Sequence, residues 1–154
     1  MYDTRNLDAT FSALLALMGC LNSPRQDDVL LREAGVALDR ALFPLLVRLS
    51  STGPMGVAQL ADRAGRDPST VSRQLAKLEE LGLVRRPKAQ SDLRVREAAI
   101  TKAGERVVEA ITTARHKLLG KLLEDWSAQE RQIFPQLLQR LADSMIQAMS
   151  AVEP

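Results

Sequence analysis

Between residues 67 and 96 the chain gathers side chains suited to chemistry of one kind. Pro68, Ser69, Thr70, Ser72 and Arg73 are followed by Lys77, and then by Lys88, Asp92, Arg94 and Arg96. Short hydroxyls both donate and accept hydrogen bonds, while guanidinium and ammonium groups carry several donors and a positive charge. Such a set makes no covalent bonds of its own. It is suited to gripping phosphate oxygens and probing the edges of bases. Groups for catalysis are missing. The one histidine, His116, falls within a helical pattern and reads as a surface residue, and Cys20 is the only cysteine. No cluster has metal-ligand spacing, and there is no phosphate loop or dinucleotide fingerprint. Asp27-Asp28 and Glu79-Glu80 are adjacent pairs, whose side chains diverge on a helix and read as solvated. These features imply a non-enzyme with no metal and no cofactor.

The elements around this set decide where it points. Before it, Leu60 and Ala61 are the inward positions of a short helix, and Ala61 is small enough for a second helix to cross close by. Gly65 can take the left-handed conformation that ends a helix and turns the chain. Asp67 then caps the next helix, and Pro68 fits its first position, where no N–H is needed. Val71, Leu75 and Leu78 recur at helical spacing and form its buried face. At 100° per residue, Ser69, Arg73, Ala76 and Lys77 fall on the opposite side, with Thr70 and Ser72 flanking. That face is small, polar and basic, as a helix lying in a DNA major groove must be. Leu81-Gly82-Leu83-Val84 ends this helix at Gly82 and starts an extended run loaded with Arg85, Arg86 and Lys88. Gln90-Ser91-Asp92 is a turn pattern, and Leu93 to Ile100 is a returning strand.

Helix, turn, helix and basic hairpin together resemble the MarR (multiple antibiotic resistance regulator) family of winged helix-turn-helix regulators. The resemblance rests on Asp67-Pro68-Ser69-Thr70-Val71-Ser72-Arg73, on Leu78-Glu79-x-Leu81-Gly82-Leu83-Val84 and on Asp92-x-Arg94. Ile100-Thr101-x-x-Gly104 stands where the family usually has Leu-Thr-x-x-Gly. Each fragment alone is weak; the combination is specific. The resemblance implies a mainly α fold with a small β-hairpin wing. It also implies a homodimer on double-stranded DNA, at a pseudo-palindromic operator, with recognition helices about one DNA turn, roughly 34 Å, apart. In the family, the arginine matching Arg94 enters the minor groove and the aspartate matching Asp92 orients it. On this reading residues 1–154 form a single domain, with the DNA-binding region at 39–104 and dimerisation helices within 1–35 and 105–154.

The family further implies a repressor released by a small apolar or phenolic effector held between the winged region and the dimer helices. Mostly Leu, Ala and Met occupy those segments, so the pocket is expected to be apolar, and no residue stands out as an anchor. Two other readings stay open. Some members sense peroxides through a cysteine in the N-terminal region. Here Cys20 lies between Gly19 and Leu21 in an apolar helix, where a buried, inert thiol is usual. The other is a DNA-binding or scaffold protein that answers to no ligand.

Composition agrees with the helical reading. The 154 residues are 45% hydrophobic but only 3% aromatic, so packing is aliphatic. The chain carries a net charge of +2, yet residues 62–106 alone hold eleven basic and seven acidic side chains, a net +4. Positive charge is thus concentrated on the proposed DNA-binding element. One cysteine allows no internal disulfide. With no membrane-length apolar run and no signal-peptide pattern, a cytoplasmic location is expected.

In the first segment Leu7, Phe11, Leu14, Met18 and Leu21 form an apolar helical stripe. Asn22-Ser23-Pro24 breaks it, where family members often continue one long helix. The break reads either as a kink or as a true second helix, which Ser23 can cap and Gly35 stops near Ala34. Asp39 is the expected cap of the following helix, whose Leu42, Leu45, Leu46 and Leu49 point inward. Pro44 requires that helix to be distorted near Phe43 or to begin there. Residues 50–54 are a loop. After the hairpin, Thr101 caps a helix bearing Val107, Val108, Ile111, Leu118, Leu119, Leu122 and Leu123. Ser127-x-x-Glu130 is a capping box for the last helix, whose buried stripe is Leu137, Leu138, Leu141, Met145 and Met149 and which should bend at Pro135. The terminal helices are more apolar than a lone winged helix requires.

Overall fold

A computed structural model describes residues 3–86 and 97–151. Among the described residues seven helices and three short strands follow one another: α1 (Thr4–Leu21), α2 (Pro24–Ala34), α3 (Phe43–Thr52), β1 (Met55–Gly56), α4 (Val57–Ala64), α5 (Pro68–Glu80), β2 (Val84–Arg85), β3 (Glu97–Ile100), α6 (Lys102–Leu122) and α7 (Ala128–Ser150). The chain clusters into two compact units, Met1–Arg115 and His116–Pro154.

In the first unit the core is aliphatic. Leu45, Leu46 and Leu49 of α3, Leu60 and Ala61 of α4, and Val71, Leu75 and Leu78 of α5 are buried together with Met55, Val84 and Ala98 from the strands. A smaller cluster joins Leu31, Phe43 and Ile111. α1 and α2 are separate helices, so the Ser23-Pro24 break starts a true second helix, although Ser23 makes no side-chain cap bond. α3 begins at Phe43, so Pro44 sits in its first turn and its missing N–H costs nothing there. Asp39 caps the tight turn before α3 rather than α3 itself: its Oδ1 accepts from the Ala41 N–H at 2.8 Å.

The sheet differs from a bare hairpin. Its strand order is β1-β3-β2, all antiparallel, with Met55 opposite Ala98 and Val84 opposite Ile100. The expected loop at 50–54 is shorter than the sequence suggests, because α3 runs on to Thr52, and the two-residue β1 follows directly after residues 53 and 54. Two residues, one of them glycine, have no periodicity from which a strand could be read.

A joint links the end of α5 to the start of α6. Gly82, at φ 72°, reverses the chain, and the Leu83 N–H donates to the Leu78 carbonyl at 2.9 Å. The Thr101 hydroxyl donates to the Gly82 carbonyl at 2.6 Å and accepts from the Gly104 N–H at 3.1 Å. The Thr101 N–H donates to the Leu83 carbonyl at 3.0 Å. A Cβ on Gly104 would stand 2.3 Å from that carbonyl oxygen and 2.6 Å from Ile100 Cγ1.

In the second unit α7 opens with the expected capping box between Ser127 and Glu130 and runs on through Pro135. Trp126 and Phe134 pack edge to face at 5.0 Å. The expected buried stripe of α7 is not buried: Leu137, Leu138, Met145 and Met149 are exposed, as are Leu7, Phe11, Met18 and Leu21 of α1. Each of these helices covers no side chain completely within a single chain.

The joint yields a prediction. Gly104→Ala forces a methyl against a backbone carbonyl and should destabilise the protein by about 1–3 kcal/mol in urea unfolding. Gly120→Ala, in the same helix with nothing within 4 Å of its Cβ position, should instead stabilise by about 0.5–1 kcal/mol. Equal effects from the two substitutions would contradict the packing described for Gly104.

Candidate nucleic-acid interface

The helix that carries the hydroxyls and the first two cations is held on three sides. Val71, Leu75 and Leu78 are completely buried beneath it. Gly65, at φ 61°, ends α4 and turns the chain into α5. The Asp67 carboxylate accepts from the Ser69 and Thr70 N–H groups at 3.1 and 3.2 Å, and from the Ser69 hydroxyl. The bond from the Ser69 hydroxyl, then that from the Thr70 N–H, holds the Asp67 carboxyl below its ordinary value, with a smaller contribution from Arg73. The ionised form is therefore favoured in the folded protein. Its contribution is complete above the ordinary carboxylate range and is lost as pH falls below it.

The cap also decides how α5 can meet DNA. Its leading N–H groups are occupied by Asp67, so they are not a phosphate-binding end. An anion approaching this face would have to be met by side chains. Pro68, Ser69, Arg73, Ala76 and Lys77 are exposed, and Thr70 and Ser72 are half-buried at the flanks. The Ser69 hydroxyl donates to Asp67, which leaves its lone pairs as the free capacity toward a base. Among the described residues Arg73 Nη2 makes a long contact, 3.5 Å, with the Thr70 hydroxyl, a weak use of its fork. The outer face of α5 thus presents hydroxyl acceptors beside a guanidinium and an ammonium. Lys88, Asp92, Arg94 and Arg96, together with the expected turn between them, lie outside the described residues.

Two basic residues of this segment turn inward. Arg66 Nη1 donates to the Ala41 carbonyl and to Gln74 Oε1, both at 2.8 Å. Arg86 Nη2 donates to the Ser72 carbonyl at 3.0 Å, and its Nε is buried without a partner among the described residues. Sequence reasoning counted both only as charge. For Arg86 a signal existed: side chains alternate along a strand, so buried Val84, exposed Arg85 and half-buried Arg86 follow the period of two. Nothing local marked Arg66.

A second feature of the same unit is a cleft of about 380 Å³ lined by Phe43, Pro44, Val47, Arg48, Ser51, Thr52 and Arg115. Its floor is apolar, as expected of a pocket in this region, but two half-buried arginines also line it. Arg115 lies on α6, on a turn whose neighbouring Ile111 and Ala114 are buried, and its charge gave no sign of a ligand anchor. Cys20 corrects a further expectation: its thiol is exposed on α1 rather than buried, because α1 packs no side chain fully inward in a single chain. His116 is exposed. Among the described residues no helix is long and apolar enough to cross a membrane.

Comparison with known proteins gives the same architecture. Residues 38–95 match the model of the MarR family. The HTH-type transcriptional regulator YxaD of Bacillus subtilis (strain 168) is 38% identical over 109 residues, covering 71% of this chain and 76% of the relative. Among solved structures, a MarR family protein from Bacillus stearothermophilus has a TM-score of 0.80 at 22% identity, covering 95% of this chain and 99% of that one. RV1404 from Mycobacterium tuberculosis has a TM-score of 0.71 at 26% identity, covering 90% and 92%.

Proposed function

Because this chain belongs to the MarR family of DNA-binding transcriptional regulators, which are not enzymes, we propose that it is a homodimeric repressor that reads a pseudo-palindromic operator through the outer face of α5. One observation carries the reading: a helix whose inner face is completely buried presents Ser69, Arg73 and Lys77 to solvent on the other. Ser69, Thr70, Ser72 and Arg73 read base edges, with Pro68 setting the first turn, and Lys77 meets phosphate. On the expected wing, Lys88 and Arg96 add phosphate contacts, and Arg94, aimed by Asp92, enters the minor groove.

Dimerisation is proposed through α1, α7 and the end of α6. Leu7, Phe11, Met18, Leu21, Leu119, Leu122, Leu138, Met145 and Met149 are each more than two-fifths exposed in the single chain. Apolar area on that scale is what a stable subunit interface covers. A two-fold pairing would present two copies of α5 to one face of DNA.

The cleft beside α3 is the proposed effector site. Phe43, Pro44 and Val47 suit an apolar or aromatic body, and Arg48 and Arg115 suit an anionic group on it. An apolar phenol alone would leave those cations unused.

Two experiments test this reading. Arg73→Ala should cost about 1–3 kcal/mol on specific DNA and relax preference at one position in each half-site. Lys77→Ala should weaken binding to all sequences and lower the salt slope by about one. If Arg73→Ala weakened specific and random DNA equally, its assignment to base reading would fail. For the cleft, benzoate should release DNA more readily than uncharged benzamide, and Arg115→Gln should remove the difference. Identical action of the two compounds on the unmodified protein would refute an anion site.

A further inference from the structure

We infer that Arg86 is a positioning residue for base reading: it does not touch DNA but fixes the recognition helix against the root of the wing. The inference rests on the proposal that α5 reads DNA. Arg86 stands immediately after β2 and is the last described residue before 87–96. Its side chain crosses to α5 and donates to a backbone carbonyl in the middle of that helix, that of Ser72, at 3.0 Å.

Three observations separate this role from that of a phosphate contact. The guanidinium is directed at the helix backbone, and its Nε is removed from solvent. A phosphate would have to be met by a group whose donors reach solvent, and Arg85 beside it is exposed. The acceptor also carries meaning. A helix carbonyl has two lone pairs, and Ser72 can accept from Arg86 while it serves the helix ladder. Ser72 lies between Ser69 and Arg73 in sequence and flanks the exposed face. A bond at that point resists rotation of α5 about its own axis. Successive residues are 100° apart around a helix, so a modest rotation would aim Ser69 and Arg73 at different atoms of a base pair.

Burial raises the cost of losing this arrangement. A charge-assisted bond in a half-buried site is stronger than one in water, and its donor has already been stripped of solvent. The geometry therefore ties α5 to the end of β2 through one side chain directed at the helix backbone. Arg86 acts on which sequence is preferred and leaves the overall attraction to DNA unchanged.

The test is binding to a selected operator and to random DNA of equal length, each across a range of salt. Arg86→Met keeps an apolar stem of similar reach, removes both the donor and the unpartnered Nε, and should fold. At a temperature where the variant is folded by circular dichroism, its affinity for the operator should fall about tenfold. Its affinity for random DNA and its salt slope should not change. Should Arg86→Met not fold, Arg86→Lys serves instead: with one donor group on a shorter stem, it should lose part of the operator preference at an unchanged salt slope. A drop of about one in salt slope with equal losses on both DNAs would mean a phosphate contact and overturn the inference. An unchanged ratio of operator to random binding in the folded variant would overturn it too, leaving Arg86 a packing residue. If the unmodified protein itself showed no sequence preference, the DNA-reading proposal would fail first and this inference with it.

Discussion

The fold turns on the contact between Thr101 and the end of the recognition helix. One hydroxyl donates to the Gly82 carbonyl and accepts from the Gly104 N–H, while the Thr101 N–H takes the Leu83 carbonyl. These bonds satisfy backbone groups that two helix ends would otherwise leave open. They also fix where α5 stops and where α6 starts. Gly104 is buried at the contact because no Cβ fits there. The β3 strand feeds directly into this joint, and β2 leaves from it, so the sheet inherits its placement. Ser50 of α3 adds a further tie by donating to Glu105 at 2.9 Å, one residue beyond.

From that joint the rest of the surface proposed to read DNA follows by packing. α5 is pinned at its start by Asp67, along its inner face by Val71, Leu75 and Leu78, and across its middle by Arg66 and Arg86. The outer face needs no structure of its own. Its residues are small or long and polar, and they acquire direction from what holds the opposite side. Charge counting along the segment overstates the number of cations free to make outside contacts, since Arg66 and Arg86 spend donors internally. Local charge density names the segment; only geometry separates cations that face solvent from cations that brace the helix.

Much of this was legible in the residues because the signals were local. Asp67-Pro68, Gly65 and Gly82 mark helix ends by backbone chemistry that allows few alternatives, and the spacing of Val71, Leu75 and Leu78 leaves one orientation for α5. Ser127 and Glu130 gave a capping box for the same reason. What was hidden depended on partners distant in sequence. β1 is two residues long and exists by pairing with β3. Asp39 caps a turn because α3 cannot start before Phe43. The cationic character of the cleft arises from Arg48 and Arg115, which are far apart in the chain and brought together by α3 and α6. The apolar stripes of α1 and α7 were read correctly as stripes, but the chain alone does not bury them. Periodicity reports that a face is apolar and is silent on what covers it.

The central claim is that two copies of α5, held rigidly from behind, read one operator. Selection of bound sequences from a random DNA pool tests it most directly. The account predicts an enriched inverted repeat whose half-sites are about one helical turn apart, centre to centre. Enrichment of a single unrepeated site, or of no sequence at all, would contradict it.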